Sequence, residues 1–133
     1  MIATLDTNVL VSGTLFGGVP GSIINAAVDR RFTLALSPAI LSEYENVLSR
    51  SKFGLAADAV EVLVRDMESQ AFVVYPTKRH QIVAEDPDDD AIIDCAVQAK
   101  ADVIVSGDGY LTELKQIEGI PVVTPARFIE MIE

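Results

Sequence analysis

The stretch that most constrains this chain is DPDDDAIIDCAVQAKADVIVSGD, from Asp86 to Asp108. It opens with five carboxylates in nine residues (Asp86, Asp88, Asp89, Asp90, Asp94), runs through an apolar helix into a short apolar strand, and stops on another acid. Asp86-Pro87 reads as an N-cap with proline at the first helical position. Asp88 and Asp89 then fall in the first turn, where the helix dipole favours negative charge. Those three acids need no function. Asp90 and Asp94 are different, because residues i and i+4 share a face and like charges there cost roughly 0.2–0.5 kcal/mol. The rest of the helix is apolar, so the strip of Asp90, Asp94 and Gln98 either meets solvent or lines a cleft.

The remaining chain alternates short apolar strands with helices. Strands are expected at Ile2–Leu5, Phe32–Leu36, Phe72–Tyr75, Val103–Val105 and Ile120–Val123. Helices are expected from Pro20 to Arg30 with Ile23, Ile24, Ala27 and Val28 inward, and from Pro38 to about Arg50 behind a Ser37 cap. Others should run from Ala56 to about Ser69 with Ala59, Val60, Leu63 and Met67 on one side, around Leu111–Lys115, and from Pro125 to Ile132. With this alternation and no hairpin signal, the reading is a single domain over residues 1–133. It should be a three-layer α/β/α sandwich around a parallel sheet of four to five strands. Its 133 residues suffice for a sizeable core, and no apolar run approaches the roughly 18 residues that span a bilayer. An N-terminus without a basic region and a single cysteine, Cys95, in an apolar helix point to a cytoplasmic, reducing setting.

In an open parallel sheet, ligands bind beyond the carboxyl ends of the strands. Asp6 directly follows the first strand and Asp108 closely follows the fourth. Asp90 lies early in the helix after the third strand. The helix after the second strand holds Glu43 and Glu45, on opposite flanks of its stripe Ile40, Leu41, Tyr44, Val47 and Leu48, and periodicity does not choose between them. Asp6 as a mere helix cap is the plain alternative for that residue. Carboxylates gathered about 4 Å apart repel by roughly 4 kcal/mol at an effective dielectric near 20, so cations or protons must neutralise them. Oxygen ligands without His or Cys suit Mg²⁺ or Mn²⁺, and the matching chemistry is metal-assisted phosphoester hydrolysis. His80 has no partner at ligand spacing and reads as a surface residue. Against this stands a net charge of −10, a poor footprint for binding nucleic acid by charge alone.

LDTNVLVS at the start, a glutamate in the helix after the second strand, DPDDDAIIDCAVQAKAD and VIVSGDGYL together resemble the PIN-domain nucleases. The likeness is greatest to small stand-alone PIN proteins that act as the toxin (VapC-type) of toxin–antitoxin pairs. The resemblance spans essentially the whole chain and implies a Mg²⁺- or Mn²⁺-dependent endoribonuclease leaving 5′-phosphate and 3′-hydroxyl ends. By position it assigns Asp6, Glu43, Asp90 and Asp108 to catalysis and metal binding, and Asp94 as an auxiliary ligand. It also selects Glu43 over Glu45. Asn8 and Ser106 match the groups that hold the family's carboxylates in place. Lys52, Lys78 and Arg79 are candidates for phosphate positioning from flanking loops. RNA is the implied substrate, an antitoxin with a basic segment the implied partner, and a homodimer the implied assembly. Two rivals remain: an acidic interaction module that keeps the fold without catalysis, and a metal-dependent phosphatase. An aspartyl-nucleophile phosphatase wants a second Asp two residues beyond the first, where this chain has Asn8. A phosphoacceptor receiver domain is disfavoured too, since Tyr75-Pro76 and Thr124-Pro125 stand where it needs an Asp and a Lys.

Overall fold

The structure, a computed structural model, describes residues 1–77 and 87–133. In chain order its elements are β1 (Ile2–Leu5), α1 (Thr7–Leu15), α2 (Gly18–Val28), β2 (Thr33–Leu36), α3 (Pro38–Leu48), a 3-10 turn (Ser51–Phe53) and α4 (Ala57–Gln70). There follow β3 (Phe72–Val73), α5 (Pro87–Ala99), β4 (Val103–Val105), α6 (Gly109–Glu113), β5 (Gln116–Ile117), β6 (Ile120–Val123) and α7 (Pro125–Ile132). The strands form one sheet in the order β3-β2-β1-β4-β6-β5, parallel except for β5. Helices flank it, giving the expected α/β/α layering. Among the described residues no single helix is long and apolar enough to cross a membrane.

The sheet therefore has six described strands rather than four or five. The extra one pairs antiparallel with β6 in a hairpin, with Ile117 opposite Ile120. Its two turn residues, Glu118 (φ 52°) and Gly119 (φ 78°), both have positive φ, which a two-residue hairpin turn of type I′ demands. Asn-Gly or Asp-Gly advertises such a turn. Glu-Gly does not, so the hairpin was hidden. Correspondingly, α6 begins at Gly109, ahead of the expected Leu111, and stops before Lys115.

The core follows the apolar periodicity closely in α3, where Ile40, Leu41, Tyr44, Val47 and Leu48 are all buried. Ser37 caps this helix through its hydroxyl with Pro38 in the first turn, as its sequence indicates. The inward faces of two other helices differ from expectation. In α2 the buried residues are Ile23, Ala26 and Ala27, while Val28 is 51% exposed at the helix end. In α4 Val60 and Met67 are buried but Ala59 is exposed. Both departures arise because the stripe reads the face but not which neighbour covers its edges. The Asp86 cap lies outside the described residues, as do Lys78, Arg79 and His80 and the side chains of Asp88 and Asp89. The helix itself begins at Pro87, as expected.

Beneath the carboxyl edge of the sheet, the Cys95 thiol of α5 lies 3.8 Å from the Thr4 hydroxyl of β1. Burial pushes this thiol up to about 11, opposed by hydrogen bonds with Thr4 and Ser37. Native Cys95 is therefore expected to stay unreactive to a thiol-specific disulfide reagent at pH 8 until guanidinium unfolds the chain. Its folded value exceeds the 9.0 of a free thiol. The stability it confers is accordingly complete below pH 9 and is lost as pH climbs through about 11. Rapid labelling of the native state would contradict this.

The α1–α2 corner, bent by 94°, is packed backbone to backbone. A β-carbon on Gly13 would meet Ile24 Cγ1 at 2.6 Å and the Pro20 carbonyl oxygen at 2.7 Å. The carbonyl cannot swing away as a flexible side chain can. Gly13→Ala gains helix propensity of up to about 1 kcal/mol, against a steric cost of roughly 1–3 kcal/mol. A net loss is expected, read as a lower urea midpoint at unchanged m-value.

Candidate active site

The chain passes from β1 outward to β2 and β3, then returns to the other side of β1 to form β4. That reversal opens a crevice between the carboxyl ends of β1 and β4, the place where open α/β sheets bind ligands. Asp6 is the first residue beyond β1, and Ser106 the first beyond β4. Both are held as continuations of the sheet, the Asp6 N–H donating to Val105 O at 2.9 Å and the Ser106 N–H to Val123 O at 3.0 Å.

The two residues also meet through their side chains. The Ser106 hydroxyl, fully buried, donates to Asp6 Oδ2 at 2.7 Å, and its oxygen accepts the Asp108 main-chain N–H at 3.0 Å. Asp6 Oδ1 accepts the Asn8 main-chain N–H at 2.7 Å, while the Asp6 carbonyl accepts the first helical N–H groups of α1. Asp6 thus does cap α1, the plain alternative, and it does more: it is 4% exposed and tied to β4. Asp108 caps α6 through Oδ1, which accepts the Tyr110 N–H at 2.8 Å. Asn8 reaches Asp6 with its backbone, and its side chain is exposed. The contact Asn8 makes with the Asp6 carboxylate is thus through its main-chain N–H.

Asp90 arrives from α5, which packs against β1, β2 and β4. The Thr4–Cys95 contact fixes the height of α5 against β1. From Thr4, two strand residues lead to Asp6, roughly 6.6 Å towards the carboxyl edge. From Cys95, five residues back along α5 lead to Asp90, roughly 7.5 Å. Since α5 feeds β4 through only Lys100–Asp102, it runs against the strands, and both displacements point the same way. By this reckoning the backbone at Asp90 lies about as far towards the carboxyl edge as that at Asp6. Asp90 is 9% exposed, so it is not part of a solvated strip. Asp94 is half-buried. Gln98, the third member of the strip, is exposed and instead accepts the N–H and hydroxyl of Thr77 on the segment after β3.

Glu43 projects from α3, which packs against both α1 and α5. It is half-buried where Glu45 is exposed. Tyr44 beside it joins α3 to α1, its hydroxyl 2.7 Å from that of Thr14. Burial raises the Tyr44 phenol above 10.0, opposed by the Thr14 hydrogen bond. The sequence offered no signal for this Thr14 partnership, because a threonine inside a helix announces nothing about what it faces.

Among the described residues no three His, Cys, Asp or Glu side chains close into a group able to hold a metal ion by themselves. The five expected ligands are thus not drawn into a ready-made cage. The donor chemistry nevertheless suits a hard, oxygen-seeking ion: the nearly buried carboxylates of Asp6 and Asp90, with those of half-buried Glu43, Asp94 and Asp108. Mg²⁺ is commonly held by one or two carboxylates, its other positions kept by water and substrate phosphate.

The sequence model of the PIN domain matches residues 3–109, from β1 to the start of α6. The chain belongs to the PIN-domain family. PIN domains are generally nucleases and generally use divalent metals. Among solved structures, the chain is similar to VapBC2 from Rickettsia felis bound to a DNA fragment from its promoter. The match has a TM-score of 0.68 and 17% identity, covering 93% of this chain and 98% of that one. At that identity the likeness shows the shared fold. No curated protein matches significantly.

Ser106→Ala removes the hydroxyl on which both the Asp6 and the Asp108 contacts depend. A buried polar group stripped of its partner costs about 1–3 kcal/mol, and a loss of that size is expected in urea unfolding at pH 7. An unchanged midpoint would show that the Ser106 bridge carries no stability.

Proposed function

We propose that this PIN-domain protein is a Mg²⁺- or Mn²⁺-dependent endoribonuclease, the toxin of a toxin–antitoxin pair. One observation carries the reading: the carboxylates of Asp6, just beyond β1, and Asp90, early in α5, are both nearly buried. Oxygen donors of this kind, without His or Cys, suit Mg²⁺ or Mn²⁺. The N-termini of α1 and α6, capped by Asp6 and Asp108, follow the carboxyl ends of β1 and β4.

Asp6, Glu43 and Asp90 would hold the ion, with Asp94 and Asp108 placed to assist directly or through water. A divalent ion so bound lowers the pKa of a coordinated water and offsets charge developing on the phosphoryl group. Ser106 fixes the Asp6 carboxylate against rotation, and the Asn8 N–H holds its second oxygen, so both lone-pair directions are set before substrate arrives. Hydrolysis proceeds without a covalent intermediate, leaving a 5′-phosphate and a 3′-hydroxyl.

The antitoxin belongs to the same proposal: a partner with a basic segment suits a chain of net charge −10, and the VapBC2 likeness supports it. A homodimer and a cytoplasmic setting complete the reading, the latter supported by the buried free thiol of Cys95.

The decisive assay is cleavage of single-stranded RNA with Mn²⁺, comparing the wild type with Asp90→Asn and Asp6→Asn prepared identically. Both variants are expected to lose at least about 100-fold in rate, the scale on which removing a group that stabilises transition-state charge acts. Equal cleavage by all three preparations would reveal a contaminating nuclease. No cleavage by any would favour the non-catalytic interaction module.

A further inference from the structure

A groove of about 440 Å³ starts beside the acidic edge and runs away from it between α1 and the end of α3. One wall is the α1 face formed by Asn8, Ser12 and Phe16, spaced four residues apart and extending about 12 Å. The other wall carries Arg50, Lys52 and Phe53 from the turn after α3. Among the described residues no acidic one lines it, although the chain has twice as many acids as bases. Among the described residues neither Arg50 nor Lys52 forms an ion pair. Lys52 Nζ lies 5.1 Å from the Phe53 ring centre, and Phe16 faces Phe53 at 6.1 Å between centroids with the planes tilted by 56°. Phe16 is 71% exposed, so its ring is not part of the core.

We propose that this groove is the track for the single-stranded RNA flanking the scissile phosphate. Phe16 and Phe53 stack on bases, and Arg50 and Lys52 contact backbone phosphates. The proposal rests on the ribonuclease reading and deepens it. Aromatic faces interleaved with cations bind single strands without sequence preference, because every base has a π-face and every nucleotide a charge. The placement fits: Asn8 heads the groove, and its N–H is bonded to Asp6, so a strand leaving the acidic edge enters it directly. Cations without an ion pair among the described residues also match a polyanion better than an apolar helix.

The test uses the full chain in EDTA, so that no cleavage occurs, with a fluorescently labelled single-stranded RNA. Phe16→Leu, which keeps an apolar side chain but removes the stacking face, is expected to weaken binding about 5- to 50-fold. Phe16→Trp should restore it, and the melting temperature should stay unchanged in both. Arg50→Ala combined with Lys52→Ala should lower the slope of log affinity against log salt by about 1.4, or 0.7 per phosphate contact. Wild-type affinity in Phe16→Leu together with an unchanged salt slope would overturn the track. So would displacement of the RNA by an acidic peptide of equal charge as effectively as by unlabelled RNA, which would mark a protein-docking groove. The two readings fail separately. Mn²⁺-dependent cleavage with the same KM in wild type and Phe16→Leu sinks the groove alone, whereas stacking-dependent binding by a chain that never cleaves sinks the nuclease alone.

Discussion

The hydrogen bond from Ser106 to Asp6 is the constraint on which the arrangement depends. It joins the residues just beyond β1 and β4, the two strands between which the chain reverses direction, in a place without competing water. Its energy is modest as a single bond, but its consequence is positional. With Asn8 and Asp108 contributing main-chain N–H groups, it fixes Asp6 in one orientation at the mouth of the crevice. The contact of Cys95 with Thr4 does the corresponding work for the other layer, setting the height at which α5 presents Asp90. Both contacts link elements about a hundred residues apart in sequence, and both are buried.

Much of this was legible in advance because it followed from local rules. Apolar strands ending in an acid, a Ser-Pro helix start and the stripe on α3 each needed only neighbours in sequence, and each is present. What escaped needed knowledge of the far partner. The Glu118-Gly119 hairpin escaped because its first turn residue is an unusual one for positive φ. The exposure of Val28 and Ala59 escaped because a helical stripe does not say where its covering layer ends. At the site, position at a strand end picked out Asp6, and the family resemblance named Ser106 and Asn8 as groups that hold a carboxylate; the contacts they make are a Ser106 hydroxyl and an Asn8 main-chain N–H on Asp6. The gathering of five acids around one ion was a geometric expectation. Among the described residues the acids are distributed over neighbouring elements, two of them buried and none forming a cluster of three.

Charge explains the division of labour between the acidic edge and the groove beside it. A chain of net charge −10 repels a polyanion at long range, so attraction has to be local. On the proposed reading a divalent ion would reverse the field at the carboxylates, while Arg50 and Lys52 line a groove that no acid lines among the described residues. Acidic composition and a nucleic-acid substrate would then be reconciled by placement rather than by net charge.

The most direct test of the central claim is to locate the ion. Crystals of the wild-type protein soaked in Mn²⁺ should show an anomalous scattering peak about 2.1–2.3 Å from a carboxylate oxygen of Asp6, bridged to Asp90 or Glu43 directly or by one water. The peak should disappear in Asp6→Asn crystals. A peak confined to other surface carboxylates, or none at Mn²⁺ concentrations that support cleavage, would contradict the account.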